Sequence, residues 1–166
     1  IKSYLLPHEL IYVGVRDVDP FEKEVLDQLG IKVFSAKDVK EKGMLKIACE
    51  ILECTKNHPL HISFDIDSMS PEYAPATGLL IPDGLNLNQL NILGQILSTH
   101  QKLTSIDIVE INPSVCNTTD TLKTIHLAVN FIKNLFIRSK TQINMRGRYD
   151  DEFSRKFKTN NSIWLE

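Results

Sequence analysis

The chain has 166 residues, 42% hydrophobic and 24% charged, with a formal net charge of −2. That length suits one domain with a real apolar core, and the charge balance lacks the basic excess that binding to nucleic acid or an anionic membrane surface requires. No apolar run reaches the length of a membrane span, and Cys49, Cys54 and Cys116, with no CxxC spacing, are expected to be reduced thiols of a cytoplasmic protein.

The chain opens at Ile1, so a native start and any targeting segment are expected upstream. Ile11 to Val15 is a β-rich apolar run and predicts a buried strand. Asp19, Pro20 and Glu22 supply an N-cap, a proline at the first helical position and a capping-box acid. The helix they start should end near Leu29, with Gly30 as its stop. Ile31 to Phe34 predicts a second strand, and Ser35 can cap the segment after it. Met44 to Thr55 carries Leu45, Ala48, Ile51 and Leu52 at helical spacing, and Leu60 to Phe64 predicts a third strand.

Residues 65–85 contain Pro71, Pro75, Gly78, Pro82 and Gly84, too many breakers for a regular element. A loop of that length in a compact domain is commonly functional. Asn86 starts a helix to about Thr99, Leu103 to Ile111 alternates as a fourth strand, and Asp120 to Ile137 is a long amphipathic helix. The polar stretch 138–166 is expected to be a tail or a partner-contacting extension of the domain formed by 1–137. Strand–helix alternation predicts an α/β fold with a mostly parallel sheet.

Acids gather where such a sheet binds ligands, beyond the carboxyl ends of its strands. Asp17 and Asp19 follow the first strand, Asp65 and Asp67 follow the third, and Glu110 ends the fourth. Carboxylates crowded together repel one another, and a hard divalent cation or a cationic substrate relieves the conflict. In extended backbone Asp65 and Asp67 would face the same way, with Ile66 toward the core. Each acid also has a plain structural role available, since loop acids cap turns and accept backbone amides; Asp19 and Glu22 already explain themselves as a helix cap. Arg16 can pair with a neighbouring acid. His61, alone in an apolar strand, is expected to be a packed core residue, as are His8, His58, His100 and His126.

The run Ser63-Phe64-Asp65-Ile66-Asp67-Ser68-Met69-Ser70-Pro71-Glu72-Tyr73-Ala74-Pro75-Ala76-Thr77-Gly78, continuing to Gly84, resembles the long signature of the arginase and agmatinase (ureohydrolase) family. Arg16 to Glu22 is similar to the arginase stretch whose acids contact the substrate's α-amino end, and Asp107 to Pro113 to the strand whose glutamate holds the guanidinium. The resemblance covers about Leu10 to Ile137. It implies a three-layer α/β/α domain with helices on both faces of the sheet, present here as a C-terminal part. It implies two Mn2+ ions per site, with Asp65 and Asp67 among their ligands and the remaining ligands upstream. It implies that Glu110 acts on the guanidinium and that Asp17, Asp19 and Glu22 bind the amino-acid end. The activity implied is hydrolysis of L-arginine to L-ornithine and urea by metal-activated hydroxide, a step of arginine metabolism and the urea cycle. Half of a site should leave the isolated chain inactive. An agmatinase or other ureohydrolase is the alternative within the family, and a non-catalytic arginase-like subunit the alternative outside enzymes. A homo-oligomer is expected of the whole protein. The chain departs from the arginase pattern at Ser68, Ser70 and Leu79, and at Asn88 and Gln89, where many arginases carry a pair used between subunits.

Overall fold

The computed structural model describes residues 5–136 and 162–165. In chain order the elements are β1 (Leu10–Val15), α1 (Pro20–Leu29), β2 (Lys32–Ser35), α2 (Ala36–Lys42), α3 (Met44–Thr55), β3 (Leu60–Asp65), α4 (Leu87–Leu97), β4 (Leu103–Val109), α5 (Thr118–Phe136) and β5 (Ser162–Leu165). The five strands form one sheet in the order β2-β1-β5-β3-β4, and every pairing is parallel. The expected parallel α/β architecture is present.

Topology sorts the helices. The connection from β1 to β2 runs toward one edge of the sheet, whereas those from β2 to β3 and β3 to β4 run toward the other. Right-handed crossovers therefore put α1 on one face and α2, α3 and α4 on the opposite face. α3 packs on α4, and α4 on α5. Leu60, Ile62 and Phe64 of β3 point into this helical layer with Ile47, Ile51, Leu93, Leu97 and Phe131, all at most 1% exposed. Phe64 meets Phe131 edge to face, ring centroids 4.8 Å apart. Each such side chain contributes about 1.5–3 kcal/mol by leaving water, so this layer is the rigid floor beneath the loop after β3.

The predicted caps form. Asp19 Oδ1 accepts the amides of Phe21 and Glu22, at 2.7 and 2.9 Å, while Glu22 accepts the Asp19 amide. Ser35 and Asp38 make the same reciprocal pair at α2, and Asn86 and Gln89 at α4. α1 buries no residue and leaves Phe21 73% exposed, so its cap, not packing, defines where it begins.

The stretch 138–166, expected as an extension, contains a strand. β5 inserts between β1 and β3, pairing Leu165 with Val13 on one side and Phe64 on the other, and Ile163 is fully buried. Residues 137–161, on which most of the expected partner-contacting extension falls, lie outside the described residues.

Candidate metal and substrate site

β3 ends at Asp65, and the chain turns at once through a short 3-10 turn, Ile66–Ser68. Asp65 Oδ1 accepts the Asp67 amide at 3.1 Å and so closes that turn. Ile66 is fully buried, leaving both aspartates half-buried at the carboxyl edge of the sheet. The Asp67 carboxylate accepts no hydrogen bond from any described residue.

Glu110 stands one residue beyond β4, in register with Asp65 through the Asp65–Val109 pair. Its φ of +64° is a left-handed backbone that non-glycine residues adopt at a cost. This turn takes the chain out of the sheet two residues earlier than the alternation predicts. The expected strand to Ile111 is therefore shortened to Val109.

Charge in this group is unbalanced. Burial pushes the Asp65 carboxyl up to about 6, and the charges of Asp67 and Glu110 push it the same way, against the Asp67 amide and Arg16. Burial also raises Asp67, with Glu110 adding to the rise and Arg16 opposing it. A cation bound between these carboxylates would remove the penalty. The donor set is all oxygen, which suits a hard divalent ion such as Mn2+ or Mg2+. It is incomplete, however: among the described residues no three His, Cys, Asp or Glu side chains are grouped so as to hold a metal ion.

The loop 66–86 is a closed structure. Ser70 N donates to Leu85 O and Leu85 N to Ser68 O, each at 2.9 Å. Ser70 Oγ bonds Gly84 O at 3.1 Å. A Cβ at Gly84 would lie 2.6 Å from Met69 C and Ser70 N, so only glycine lets the two strands of this neck touch. Met69, Ala74, Ala76 and Leu85 anchor the loop in the core, while Leu79 and Leu80 stand exposed on its crest. The Ala76 amide bonds Thr124 of α5, and its carbonyl accepts the Asn112 amide at 2.9 Å. This last bond ties the loop to the segment carrying Glu110. The hydroxyls of Ser68 and Thr77 are buried without a partner among the described residues.

The predicted residues separate into two groups. Asp65, Asp67 and Glu110 interact electrostatically with one another and with Arg16. Asp17, Asp19 and Glu22 lie exposed just beyond β1. Asp19 spends one carboxylate oxygen on the α1 cap, and its Oδ2 accepts nothing from the described residues.

Arg16 and His61 behave differently from expectation, as do His8 and His126, which are exposed on the surface and not packed in the core, and His58, which is only partly buried. Among the described residues Arg16 pairs with no acid. Its Nη2 donates to the carbonyls of Asp67 and Ile81, the latter at 3.2 Å, and its Nε donates to Ile81 O at 3.3 Å. A main-chain acceptor leaves no mark in a sequence, which is why this role was hidden. His61 is not packed in the core. It points away from the helical layer, with Nδ1 2.8 Å from Ser105 Oγ and Nε2 3.1 Å from Asp107 Oδ2, and Ser63 Oγ donates to Asp107 Oδ1 at 2.6 Å. The period-2 alternation puts His61 and Ser63 on one face, and the parallel register brings β4's polar residues beside them. His100 does match the core reading: it is 5% exposed, bonded to Thr55 O and the Lys102 amide.

Comparison with known proteins agrees with this arrangement. Residues 1–137 match the family model described as Arginase family. The arginase of Plasmodium berghei is 39% identical over 113 residues, covering 66% of this chain and 32% of that protein. The solved arginase of Entamoeba histolytica, in complex with L-ornithine, superposes with a TM-score of 0.73 at 31% identity, covering 81% of this chain and 45% of that one. An agmatine ureohydrolase of Thermoplasma volcanium gives 0.65 at 31% identity, covering 76% of this chain and 42% of the other. The chain thus spans from about a third to just under half of these relatives' lengths. Its sheet, its acidic loop and its sequence together make it a member of the arginase family.

Proposed function

We propose that the protein to which these residues belong is a manganese-dependent hydrolase of L-arginine, and that this chain carries the part of the site formed by Asp65, Asp67 and Glu110. The observation that supports this most is the Asp65–Asp67 pair: two half-buried carboxylates with raised affinity for protons, one of them accepting no hydrogen bond from the described residues, on a turn closed by the other. Divalent cations held there with further ligands from outside the described residues would supply a nucleophile by lowering the pKa of water.

The chain's own residues do the rest. Asp65 and Asp67 provide anionic oxygens at fixed positions. Glu110 accepts charge-assisted hydrogen bonds from the guanidinium and orients its carbon. Its left-handed backbone and the tie from Asn112 to Ala76 hold that acceptor against the loop. Asp19 can cap α1 through one oxygen and meet the substrate's α-ammonium with the other, with Glu22 and Asp17 beside it.

The isolated chain is expected to bind Mn2+ weakly and to release no urea, because the ions would lack ligands. The test is a urea assay with Mn2+ on the longest form of the protein, with L-arginine and agmatine side by side. Urea from neither substrate would refute the activity, and better turnover of agmatine would move the assignment to the agmatinase branch. One observation favours a second reading, a non-catalytic subunit: the chain departs from the arginase pattern at Ser68, Ser70 and Leu79, beside the acidic pair. Metal-loaded but inactive full-length protein would support it.

A further inference from the structure

We propose that Arg16 is a positioning residue: its guanidinium pins the Asp67 carbonyl to the Ile81 carbonyl and so fixes where the Asp67 carboxylate points. The inference rests on the reading of Asp67 as a metal ligand.

Three observations carry it. First, the acceptors are both main chain. Nη2 reaches Asp67 O and Ile81 O, and Nε reaches Ile81 O again. One planar fork thus joins two points 14 positions apart on the loop to the residue directly after β1. Second, the guanidinium makes no ion pair with Asp65 or Asp67. Had it bridged either carboxylate, it would have neutralised the charge a cation needs. By bonding carbonyls, it leaves those oxygens open while its positive charge still opposes the rise in both pKa values. Third, among the described residues no other side chain holds the Asp67 peptide except Asp65, which takes the amide. Arg16 takes the carbonyl of the same residue, so the backbone at Asp67 is gripped from both sides and its side-chain direction is set with it.

The loop neck does not make Arg16 redundant. Ser68, Ser70, Gly84 and Leu85 bond across the neck, which fixes the loop's base but not Ile81 farther out. Lysine cannot replace the fork, since a single ammonium nitrogen lacks the two fixed donor directions. Charge and geometry can therefore be separated experimentally.

The experiment compares the longest form of the protein with its Arg16→Lys and Arg16→Gln variants. Hydrogen exchange is followed over 66–86, with β3 as internal reference, and Mn2+ binding is titrated by electron paramagnetic resonance. Loss of charge-assisted bonds should speed exchange over 66–86 about 10-fold in both variants, with β3 unchanged. Mn2+ affinity should fall about 10- to 100-fold in both, the usual effect of removing a group that orients a ligand. Unchanged loop protection in both variants would overturn the proposal. So would wild-type affinity in Arg16→Lys, which would make charge alone sufficient, or a loosened loop with unaltered affinity. If the longest form of the protein, unmodified, takes up no Mn2+ at all, the metal reading fails, and the exchange measurement alone decides whether Arg16 fixes Asp67.

Discussion

Asp65 Oδ1 accepts the backbone amide of Asp67 at 3.1 Å, so the first carboxylate of the pair shapes the turn that presents the second. The two acids are therefore not equivalent under mutation. Asp65→Asn keeps an acceptor for that amide and should preserve the turn. Asp65→Ala removes it and leaves a part-buried N–H unpaired, at a cost of about 1–3 kcal/mol. Asp67→Ala removes a carboxylate that has no hydrogen-bond partner among the described residues and should leave stability within about 0.5 kcal/mol of wild type. All three should lose Mn2+ binding. Chemical denaturation of the metal-free chain checks the ranking; an Asp67→Ala variant as unstable as Asp65→Ala would contradict it.

The raised Asp65 carboxyl makes stability depend on pH in a stated direction. Its pKa is about 6 when folded, against an ordinary 3.8, so between those values the folded state holds a proton that the unfolded state has released. Stability then falls as pH rises through 4 to 6. Asp38 works oppositely: its hydrogen bonds with Lys42 and Ser35 hold it at about 2, so its contribution is present above about pH 4 and lost as pH falls toward 2. Thermal melts of the metal-free chain should thus be most stable near pH 4–5. Asp65→Asn should flatten the upper limb and stabilise the chain at pH 7 by roughly 1–2 kcal/mol, after allowing for solvent screening. A melting temperature that climbs from pH 5 to 7 and is unaffected by Asp65→Asn would count against this environment for Asp65.

Much of this was readable in the sequence, for physical reasons that also mark where reading stopped. The caps at Asp19, Ser35 and Asn86 are local chemistry within four residues, and all three form. β1 and β3 coincide with apolar runs that are largely buried, whereas β4 follows an alternating pattern and has no buried residue. The β5 strand at Ser162–Leu165 was invisible because four residues after a polar stretch carry no period; its place is set by the neighbours it pairs with. Glu110's positive φ could not be foreseen from residue type, since glutamate has no preference for that region. Arg16 was readable as a cation near acids but not as a clamp, because its acceptors are main-chain atoms. His61 looked apolar by its neighbours along the strand, whereas its partners lie across the register on β4.

Gly84 offers a test of the loop neck with a built-in control. A Cβ there would press on the backbone of Met69 and Ser70 at 2.6 Å, whereas at Gly78 it would meet nothing within 4 Å. Gly84→Ala should therefore destabilise the chain by about 1–3 kcal/mol and raise exchange over 66–86. Gly78→Ala should be close to neutral. Similar losses for the two would mean that the neck is not what closes the loop.

Glu110 should show a conflict between stability and function. Glu110→Gly removes both the cost of a left-handed non-glycine residue, about 1 kcal/mol, and the repulsion it exerts on Asp65 and Asp67. Glu110→Ala removes only the repulsion. Both should abolish arginine hydrolysis by the full-length protein, with the glycine variant the more stable of the two. Equal stabilities would show that the backbone at this position carries no strain.

The last prediction separates the two jobs assigned to Asp19. One of its oxygens accepts the amides of Phe21 and Glu22 and caps α1; under the arginase reading the other meets the substrate's α-ammonium. Asparagine caps as well as aspartate, whereas alanine costs about 0.5–2 kcal/mol. Because α1 buries no residue, that cost should appear as fraying of the helix and not as global unfolding. Asp19→Asn should therefore keep α1 intact while losing the negative charge. If the carboxylate binds substrate, the KM for L-arginine rises in both variants, by about 10-fold for the loss of a charge-assisted bond worth ~1.5 kcal/mol, and kcat changes little. Hydrolysis of a guanidine lacking the amino group should be unaffected by Asp19→Asn. If instead only Asp19→Ala raises KM, the cap is the whole role of Asp19, and recognition of the amino-acid end must be sought elsewhere in the site.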